Sequence, residues 1–474
     1  MGLHPVRYIH TVRELLRQHS KFFLLAALAG VALRLFLIFR FPGVTTDSFI
    51  YGDIAKNWLQ HGIYGLSGGE VSPTYIRLPG YPAFLAAVFA IFGADHYRAV
   101  LFLQTFVDLG TCLLIADLAR RLLSPRAAKM AFLLAAICPF LASYAAAALT
   151  ETLEIFFTVL ALDLALFGLN ALHTCNLRVW LGCGLAVGAA ILMRPDGGLL
   201  LITLVAYLFF SAIREQRTPD SAPSKRPEHL LLAALIVTLI SLSPLVPWTW
   251  RNFRTFHRFQ PLAPRYANEE DEFVPMGFNR WVKTWIADYS SVEEIYWPVP
   301  GSPIDPAKLP SRAFDSGQER DETIRLLADY NQLLHISPQL DARFEALAVR
   351  RIRNSPLRCY ISLPLLRIAD MWLRPRTEMF PCDTRWWEFN DDLQWSVLAV
   401  SLGAINLLYL LAGLAGLLRG KFLPHLGLLL LFVVLRSLFL GTLENPEPRY
   451  TLECYPVIIA LASALFQKQL KKSS

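Results

Sequence analysis

Acidic and guanidinium side chains recur in this chain just beyond the ends of apolar runs. Asp47 and Arg77 lie within a polar stretch, residues 45–82, that separates two such runs. Glu151 occupies a tight turn between two more, and Arg194 and Asp196 another. Arg251 closes a later run, and Glu447 and Arg449 stand in a turn near the C-terminus. Charges this close to hydrocarbon generally face a cavity or a partner. The planar fork of arginine matches phosphate oxygens and stays charged. A carboxylate can take the proton of an attacking hydroxyl or amine, while guanidiniums stabilise a phosphate leaving group as charge develops on it. The residue types therefore point to a transfer reaction on a phosphate-bearing lipid at one face of a membrane.

The 45–82 stretch has the local signals needed to position these groups. Thr45, Thr46 and Asp47 can each accept from the orphan N–H groups of a helix start. Ile50, Tyr51, Ile54, Ala55, Trp58 and Leu59 then share one side of that helix. Such a helix lies in the membrane interface with its apolar side down. Asp47 and Tyr51 are one turn apart on the same face, whereas Asp53 points elsewhere.

Composition requires a bilayer. Of 474 residues, 54% are hydrophobic and only 18% charged, against roughly a quarter charged in soluble domains; the mean hydropathy is +0.39. Several apolar runs approach or exceed the roughly 20 residues that cross a hydrocarbon core. Spans are expected near 22–41, 99–118, 131–149, 153–172, 179–193, 198–213, 230–250, 393–418, 423–443 and 456–466. Residues 1–21 lack the apolar core of a cleavable signal. The formal charge of +7 does not indicate nucleic acid, because the basic residues cluster at span ends. Arg7, Arg13, Arg17 and Lys21, the loops at 120–129, 214–229 and 419–421, and Lys468, Lys471 and Lys472 all fall on one side, assigned to the cytoplasm. The 42–98 loop, the turns at Glu151, Arg194 and Glu447, and the 251–392 segment then face outside. The alternation closes if 356–373, which carries Arg358, Arg367 and Asp370, is an interfacial helix rather than a span.

The chain divides along its length into a membrane core with the first outer loop (1–250), an outer segment forming a loop or small cap (251–392), and a C-terminal membrane part (393–474). Seven cysteines make no framework; Cys175 is expected inside, and a disulfide among Cys359, Cys382 and Cys454 stays open. No Cys/His cluster has zinc spacing, and no P-loop, G-x-S-x-G or dinucleotide fingerprint occurs. ATP-driven pumping and serine hydrolysis are thereby disfavoured.

Asp47-x-x-x-Tyr51-x-x-x-Ala55 followed by Arg77-Leu-Pro-Gly-Tyr81-Pro-Ala-Phe84 resembles the first outer loop of GT-C glycosyltransferases. Thr150-Glu151, Arg194-Pro195, Pro247-Trp248-x-x-Arg251-Asn252 and Arg449-Tyr450 follow in the order seen in the bacterial branch of the dolichyl-phosphate-mannose–protein mannosyltransferase family, which includes aminoarabinose transferase-like enzymes. The resemblance implies an all-α polytopic membrane fold, a GT-C bundle of about ten or more transmembrane helices with interfacial helices in the first outer loop. It implies inverting transfer of a sugar from a polyprenyl-phosphate donor to a protein, lipid or glycan acceptor outside the cytoplasm, in a bacterial inner membrane. Asp47 becomes the general base and Glu151 the second catalytic acid, with Arg77, Tyr81, Arg194, Arg251, Arg449 and Tyr450 binding the substrate or its lipid phosphate. Many relatives pair two acids at the first position; here Ser48 follows Asp47, so no cofactor is expected and a divalent metal lacks its motif.

Each residue also has a plainer role open to it. Asp47 can cap its helix, Glu151 can favour a helix N-terminus, and Arg194 can simply pair with Asp196. Arg77 and Arg251 can anchor at the interface, the latter beside Trp248 and Trp250. Tyr51 reads as packing, and Arg34, Asp108, Asp117 and Asp163 as interhelical partners. A transporter or flippase of a lipid-linked or anionic solute is the competing class, but it would carry mid-span charges and inverted repeats, and no repeat is visible.

Overall fold

The computed structural model describes residues 12–170, 176–216, 227–269, 271–389, 392–420 and 423–467. Arg7, Cys175, Lys225, Arg226, Lys468, Lys471 and Lys472 lie outside the described residues. The chain is almost wholly helical and forms two compact units: Met1–Ala263 with Tyr409–Leu431 and Glu453–Ser474, and Pro264–Leu408 with Phe432–Leu452. These units are not contiguous in sequence, in contrast to the linear division at 250 and 392.

The first unit runs α1 (Val12–Gln18), α2 (Ser20–Arg40), α3 (Thr46–His61), a hairpin of β1 (Gly65–Gly68) and β2 (Glu70–Pro73), α4 (Gly80–Phe92) and α5 (Tyr97–Leu122). It continues through α6 (Pro125–Ala136), α7 (Pro139–Ala145), α8 (Glu151–Asn170), α9 (Leu177–Met193), α10 (Gly198–Gln216), α11 (Pro227–Leu242) and α12 (Leu245–Phe256). Among the described residues seven helices are long and apolar enough to cross a membrane, or eight with α6 and α7 taken as one bent span. α9 and Leu426–Gly441 are shorter apolar helices, at positions where the sequence predicts spans. The chain is thus the all-α, multi-pass bundle that its composition demands.

A continuous span expected over 131–149 is broken instead. α6 and α7 meet at 54°, with Cys138 extended (φ −66°, ψ 114°) between them. Pro139 explains the break: its ring disfavours a helical residue before it and it has no N–H to donate back. Two antiparallel strands in the 42–98 loop are also absent from the sequence reading. The hairpin pairs Gly65 with Pro73 and turns at Gly69, whose φ of 102° suits glycine.

Buried ion pairs bind the helices together. Arg34 is wholly buried on α2, its Nε 2.6 Å from Asp108 Oδ2 on α5. Its Nη1 donates to the carbonyls of Gly30 and Ala136 at 2.9 and 2.6 Å. Arg121 on α5 reaches Asp163 on α8 at 2.8 Å and Asp117 at 2.6 Å. Of the four residues expected as interhelical partners, Arg34, Asp108 and Asp163 have that role, whereas Asp117 pairs with Arg120 and Arg121 on its own helix.

The second unit has its own core, in which Phe278, Trp281, Trp285, Leu327, Phe344 and Leu347 are buried together. Asp341 accepts from the N–H groups of Gly277 and Phe278, at 3.0 and 2.9 Å, and so caps the helix Met276–Lys283. In the 356–373 stretch Leu357, Tyr360, Ile361, Leu365 and Leu366 are exposed, while Arg367 is fully buried. Arg367 donates to the carbonyls of Lys283, Ile286 and Gly441 at 2.5, 2.9 and 3.3 Å, which satisfies a guanidinium the apolar face could not. Cys359, Cys382 and Cys454 are free thiols, so no disulfide joins them.

Asp108→Ala leaves the Arg34 guanidinium buried without its counter-ion. It is expected to cost about 3 kcal/mol, read as a lower melting temperature in detergent. Arg34→Met combined with Asp108→Leu should recover most of that loss, because it removes both charges.

Candidate functional site

Two backbone hydrogen bonds begin the site. Gly43 N–H donates to Ala146 O, and Ala148 N–H donates to Gly43 O, both at 2.8 Å, a parallel bridge of Gly43 with Ala147. Asp47 and Glu151 each stand four residues beyond this bridge, so α3 and α8 start side by side. Thr45 caps α3, and its N–H is bound by Ser48 Oγ at 3.0 Å. Capping thus falls to Thr45 and Ser48 and leaves the Asp47 carboxylate for Arg77, whose Nη2 lies 3.0 Å from Oδ1. The pair is part-exposed, 33% for Asp47 and 18% for Arg77.

Gly80 brings this pair beside the next one. A Cβ there would lie 2.6 Å from Leu192 O and 2.9 Å from Met193 Cε, so only glycine lets the start of α4 close on the end of α9. Arg194 follows directly. Its Nη1 is 3.3 Å from Glu151 Oε1, and its Nε is 3.2 Å from Asp196 Oδ1 and 3.6 Å from Glu154 Oε2. Glu151 and Glu154 are buried. The expected Arg194–Asp196 pair is present, enlarged by two glutamates.

Tyr51 lies where the two clusters approach. The Arg77 guanidinium sits 5.6 Å above its ring, and Tyr81 packs edge-on at 5.1 Å. Burial pushes the Tyr51 phenol up to about 12; Arg77 and Arg194 pull it down, and Asp47 and Glu151 push it up. Both ion pairs therefore act on one buried phenol, which is neutral at any working pH.

The remaining expected residues divide into supports and a separate group. Tyr81 is fully buried, and its hydroxyl donates to Gln104 Oε1 at 2.8 Å. The Gln104 amide donates in turn to Ala147 O at 2.6 Å, gripping the bridge. Arg251 donates to Thr74 O and Tyr64 O, both at 2.7 Å, and lies 5.4 Å from the Tyr64 ring. The Tyr64 hydroxyl donates to Arg77 O at 2.9 Å, so Arg251 holds the backbone that presents Arg77. Asp53 accepts from Ser67 N–H and Oγ at 2.7 and 2.9 Å and ties the hairpin to α3. Arg449 and Tyr450 belong to the second unit, where both engage Glu447, and Arg436 donates to Tyr450 O at 3.0 Å.

The sequence reading missed Glu154, Gln104 and Tyr64. Glu154 had a signal, since it lies three residues from Glu151 on one helix face; Gln104 had only its polarity within an apolar run. Among the described residues no group of three or more His, Cys, Asp or Glu side chains is placed to hold a metal ion.

Four helices begin at or within a few residues of these side chains: α3 at Thr46, α4 at Gly80, α8 at Glu151 and α10 at Gly198. Each carries about half a positive charge and exposed N–H groups. Together with Arg77 and Arg194 they suit an anionic group, and the Asp47 carboxylate is of a type that can take up a proton.

This helical membrane bundle, with acids and arginines at its helix starts, has the fold that the GT-C resemblance drawn from the motifs implies. Residues 73–248 match the family described as dolichyl-phosphate-mannose-protein mannosyltransferase. The archaeal oligosaccharyltransferase AglB from Archaeoglobus fulgidus, in complex with an inhibitory peptide and a dolichol-phosphate, is similar at a TM-score of 0.54 and 15% identity, over 94% of this chain and 50% of that one. A second structure of that organism's enzyme, tethered to an acceptor peptide containing the NVT sequon, is similar at 0.51 and 15% identity, over 94% and 49%. ArnT from Cupriavidus metallidurans bound to undecaprenyl phosphate is 13% identical, with a TM-score of 0.41 over 94% of this chain and 78% of that one. The chain spans about half the length of the oligosaccharyltransferase. No curated protein sequence matches it.

Arg251→Ala removes two charge-assisted bonds to backbone carbonyls, a loss of about 3 kcal/mol. Limited proteolysis of the purified protein should show faster cleavage at the Gly68–Gly69 turn, together with a lower melting temperature. Arg251→Lys should restore less than half of the loss, because an ammonium lacks the fork that bridges both carbonyls.

Proposed function

We propose that this chain moves a sugar from a polyprenyl-phosphate-linked donor to an acceptor at the non-cytoplasmic face of a bacterial inner membrane. The observation that carries the reading is the pairing of Asp47 with Arg77, beside Glu151 and Arg194, among four helix N-termini. In this reading Arg77 and Arg194 hold the donor phosphate, and the helix starts add partial positive charge around it. Asp47 takes the proton of the acceptor nucleophile as it attacks the anomeric carbon from the side opposite the phosphate. The bond from that carbon to the phosphate oxygen breaks with inversion, and the departing phosphate carries the electron pair onto oxygens facing the arginines. Glu151 and Glu154 orient the Arg194 fork. Tyr81, Gln104, Tyr64 and Arg251 keep the pieces in register and touch no substrate.

The family match over 73–248 supports sugar transfer. The dolichol-phosphate in the AglB complex supports a lipid-phosphate donor for this kind of fold. The excess of Arg and Lys at 120–129 supports a cytoplasmic location for the opposite end of the spans.

The test is purified protein incubated with a panel of polyprenyl-phosphate sugars and candidate acceptors, read by mass spectrometry. Asp47→Asn should lower turnover by ~10²–10⁴-fold with an unchanged melting temperature. Near-normal turnover in that variant would remove Asp47 as the base. Movement of a lipid-linked solute across vesicles with no covalent product would instead make the chain a transporter.

A further inference from the structure

The 356–373 stretch fits neither a full span nor a helix resting on the membrane surface. It is helical throughout, a turn of π-helix over Arg358–Ser362 running into Leu363–Leu373. Its contacts within the second unit fix its level. A Cβ on Gly441 would lie 2.9 Å from Pro364 O and 2.8 Å from Ile368 Cγ1, so the two backbones meet there. Gly441 ends the apolar helix Leu426–Gly441, and Ser437 lies one turn back from that end. The Trp372 indole N–H donates to Ser437 Oγ at 3.1 Å. The stretch therefore enters at the Gly441 end and runs inward.

The long helix Leu393–Arg419 records how deep it goes and how it returns. Asn406 Nδ2 donates to Trp372 O and Arg374 O, at 2.8 and 3.2 Å. A Cβ on Gly403 would lie 3.0 Å from Pro375 Cγ, and Cys382 Sγ donates to Trp395 O at 3.5 Å. After Arg374 the chain thus climbs from Asn406 past Gly403 to Trp395, toward the start of that helix. Asn406 is the middle of its 27 residues. A hydrocarbon core takes up about 20 residues of a helix. A window of that length ending at Arg419 begins at Val400, and one starting at Leu393 mirrors it. Either way Asn406 stays roughly 9 Å or more from both edges of the core. Only residues 420–425 separate Leu393–Arg419 from Leu426–Gly441, so the two cross in opposite directions, and Leu393 and Gly441 lie at the same end.

The outward side of the stretch suits that depth. Leu357, Tyr360, Ile361, Leu365, Leu366 and Leu373 are exposed. Its three charges turn to protein partners: Arg358 to Asp315 at 2.5 and 3.0 Å, Arg367 to its three carbonyls, and Asp370 to the Tyr289 N–H at 2.9 Å. The preceding helix, Pro338–Asn354, does the reverse. It buries Leu340, Phe344 and Leu347, and it exposes Arg343 and Arg350 in ion pairs with Asp329 and Glu322. That is the pattern of a helix in water. The exposed residues Val397, Val400, Val434 and Leu438 extend the same apolar surface along the two neighbouring membrane helices. Irregular backbone at membrane depth must be covered by protein. Residues 374–377 are buried, and Arg374 and Arg376 donate to Thr384 O and Pro448 O, both at 2.7 Å.

We propose that 356–382 is a re-entrant segment: its helix dips from the Leu393 end to the level of Asn406, lays its uncharged side against the acyl chains of the bilayer lipid, and returns without crossing. The second unit is then seated in the membrane by its own chain, whatever reaction the protein performs. Both ends of the segment stay on one side, so the alternation of the spans is kept.

The experiment places the full-length protein in phosphatidylcholine nanodiscs that contain a trace of lipid with a photoreactive diazirine, either beside the headgroup or at the end of an acyl chain. After illumination, labelled residues are located by mass spectrometry. The chain-end probe should label Leu365, Leu366 and Leu373 at least tenfold more than residues 338–354, and within threefold of Val397 and Val400. The headgroup probe should favour Leu357 and Tyr360. Labelling of the whole stretch by the headgroup probe alone would make it a surface helix and overturn the proposal. Labelling no higher than that of 338–354 with either probe would mean that water or a second copy of the chain covers this side, and would overturn it equally.

Discussion

The bridge between Gly43 and Ala147 is the constraint on which the rest depends. Two hydrogen bonds of 2.8 Å join segments about a hundred residues apart, and they set the starts of α3 and α8 at one level. Asp47 and Glu151 both lie four residues beyond the same bridge, and the close approach at Gly80 brings their arginines together. Gln104 takes up the Ala147 carbonyl with its amide and the Tyr81 hydroxyl with its oxygen. The bridge is therefore braced from a third helix, and the brace extends to α4. Remove the bridge, and the two acids lose their common reference.

Electrostatics then divides the work. Four helix N-termini and two arginines make the region favourable for an anion. Asp47 and Glu151 would oppose that if left unpaired, and each is held by a guanidinium instead. Arginine serves here because its fork can hold a carboxylate and still offer N–H groups to a second partner. A carboxylate and a bound anion could then sit a few ångströms apart without either excluding the other.

Much of this was legible in the chain. The Asp47/Tyr51 spacing places both on one helix face, the apolar runs give the bundle, and the mid-span charges pair between helices as their cost in hydrocarbon demands. Other features needed the third dimension. Three residues can cap α3, and only the backbone shows that Thr45 does, while Asp47 pairs with Arg77. Arg251 and Tyr81 read as ligands from their place at span ends, and the sequence held no sign of the supporting contacts they also make. Their polar atoms meet Thr74 O, Tyr64 O and Gln104, contacts across 177, 187 and 23 residues of sequence. The break at Pro139 had a local cause in the sequence, yet the unbroken hydrophobicity on both sides concealed it.

Arg34 and Asp108 are separated by 74 residues, and that interval matters during synthesis. When α2 leaves the translocon, its arginine has no counter-ion, and a lone arginine at mid-membrane costs roughly 2.5–3.5 kcal/mol even on the mildest scale. The strongly apolar remainder of α2 can carry that burden, but only the arrival of α5 relieves it. The first span is thus left waiting for the second, and a ribosome that stalls between them leaves a fragment prone to slip from the bilayer or to be cleared by quality control.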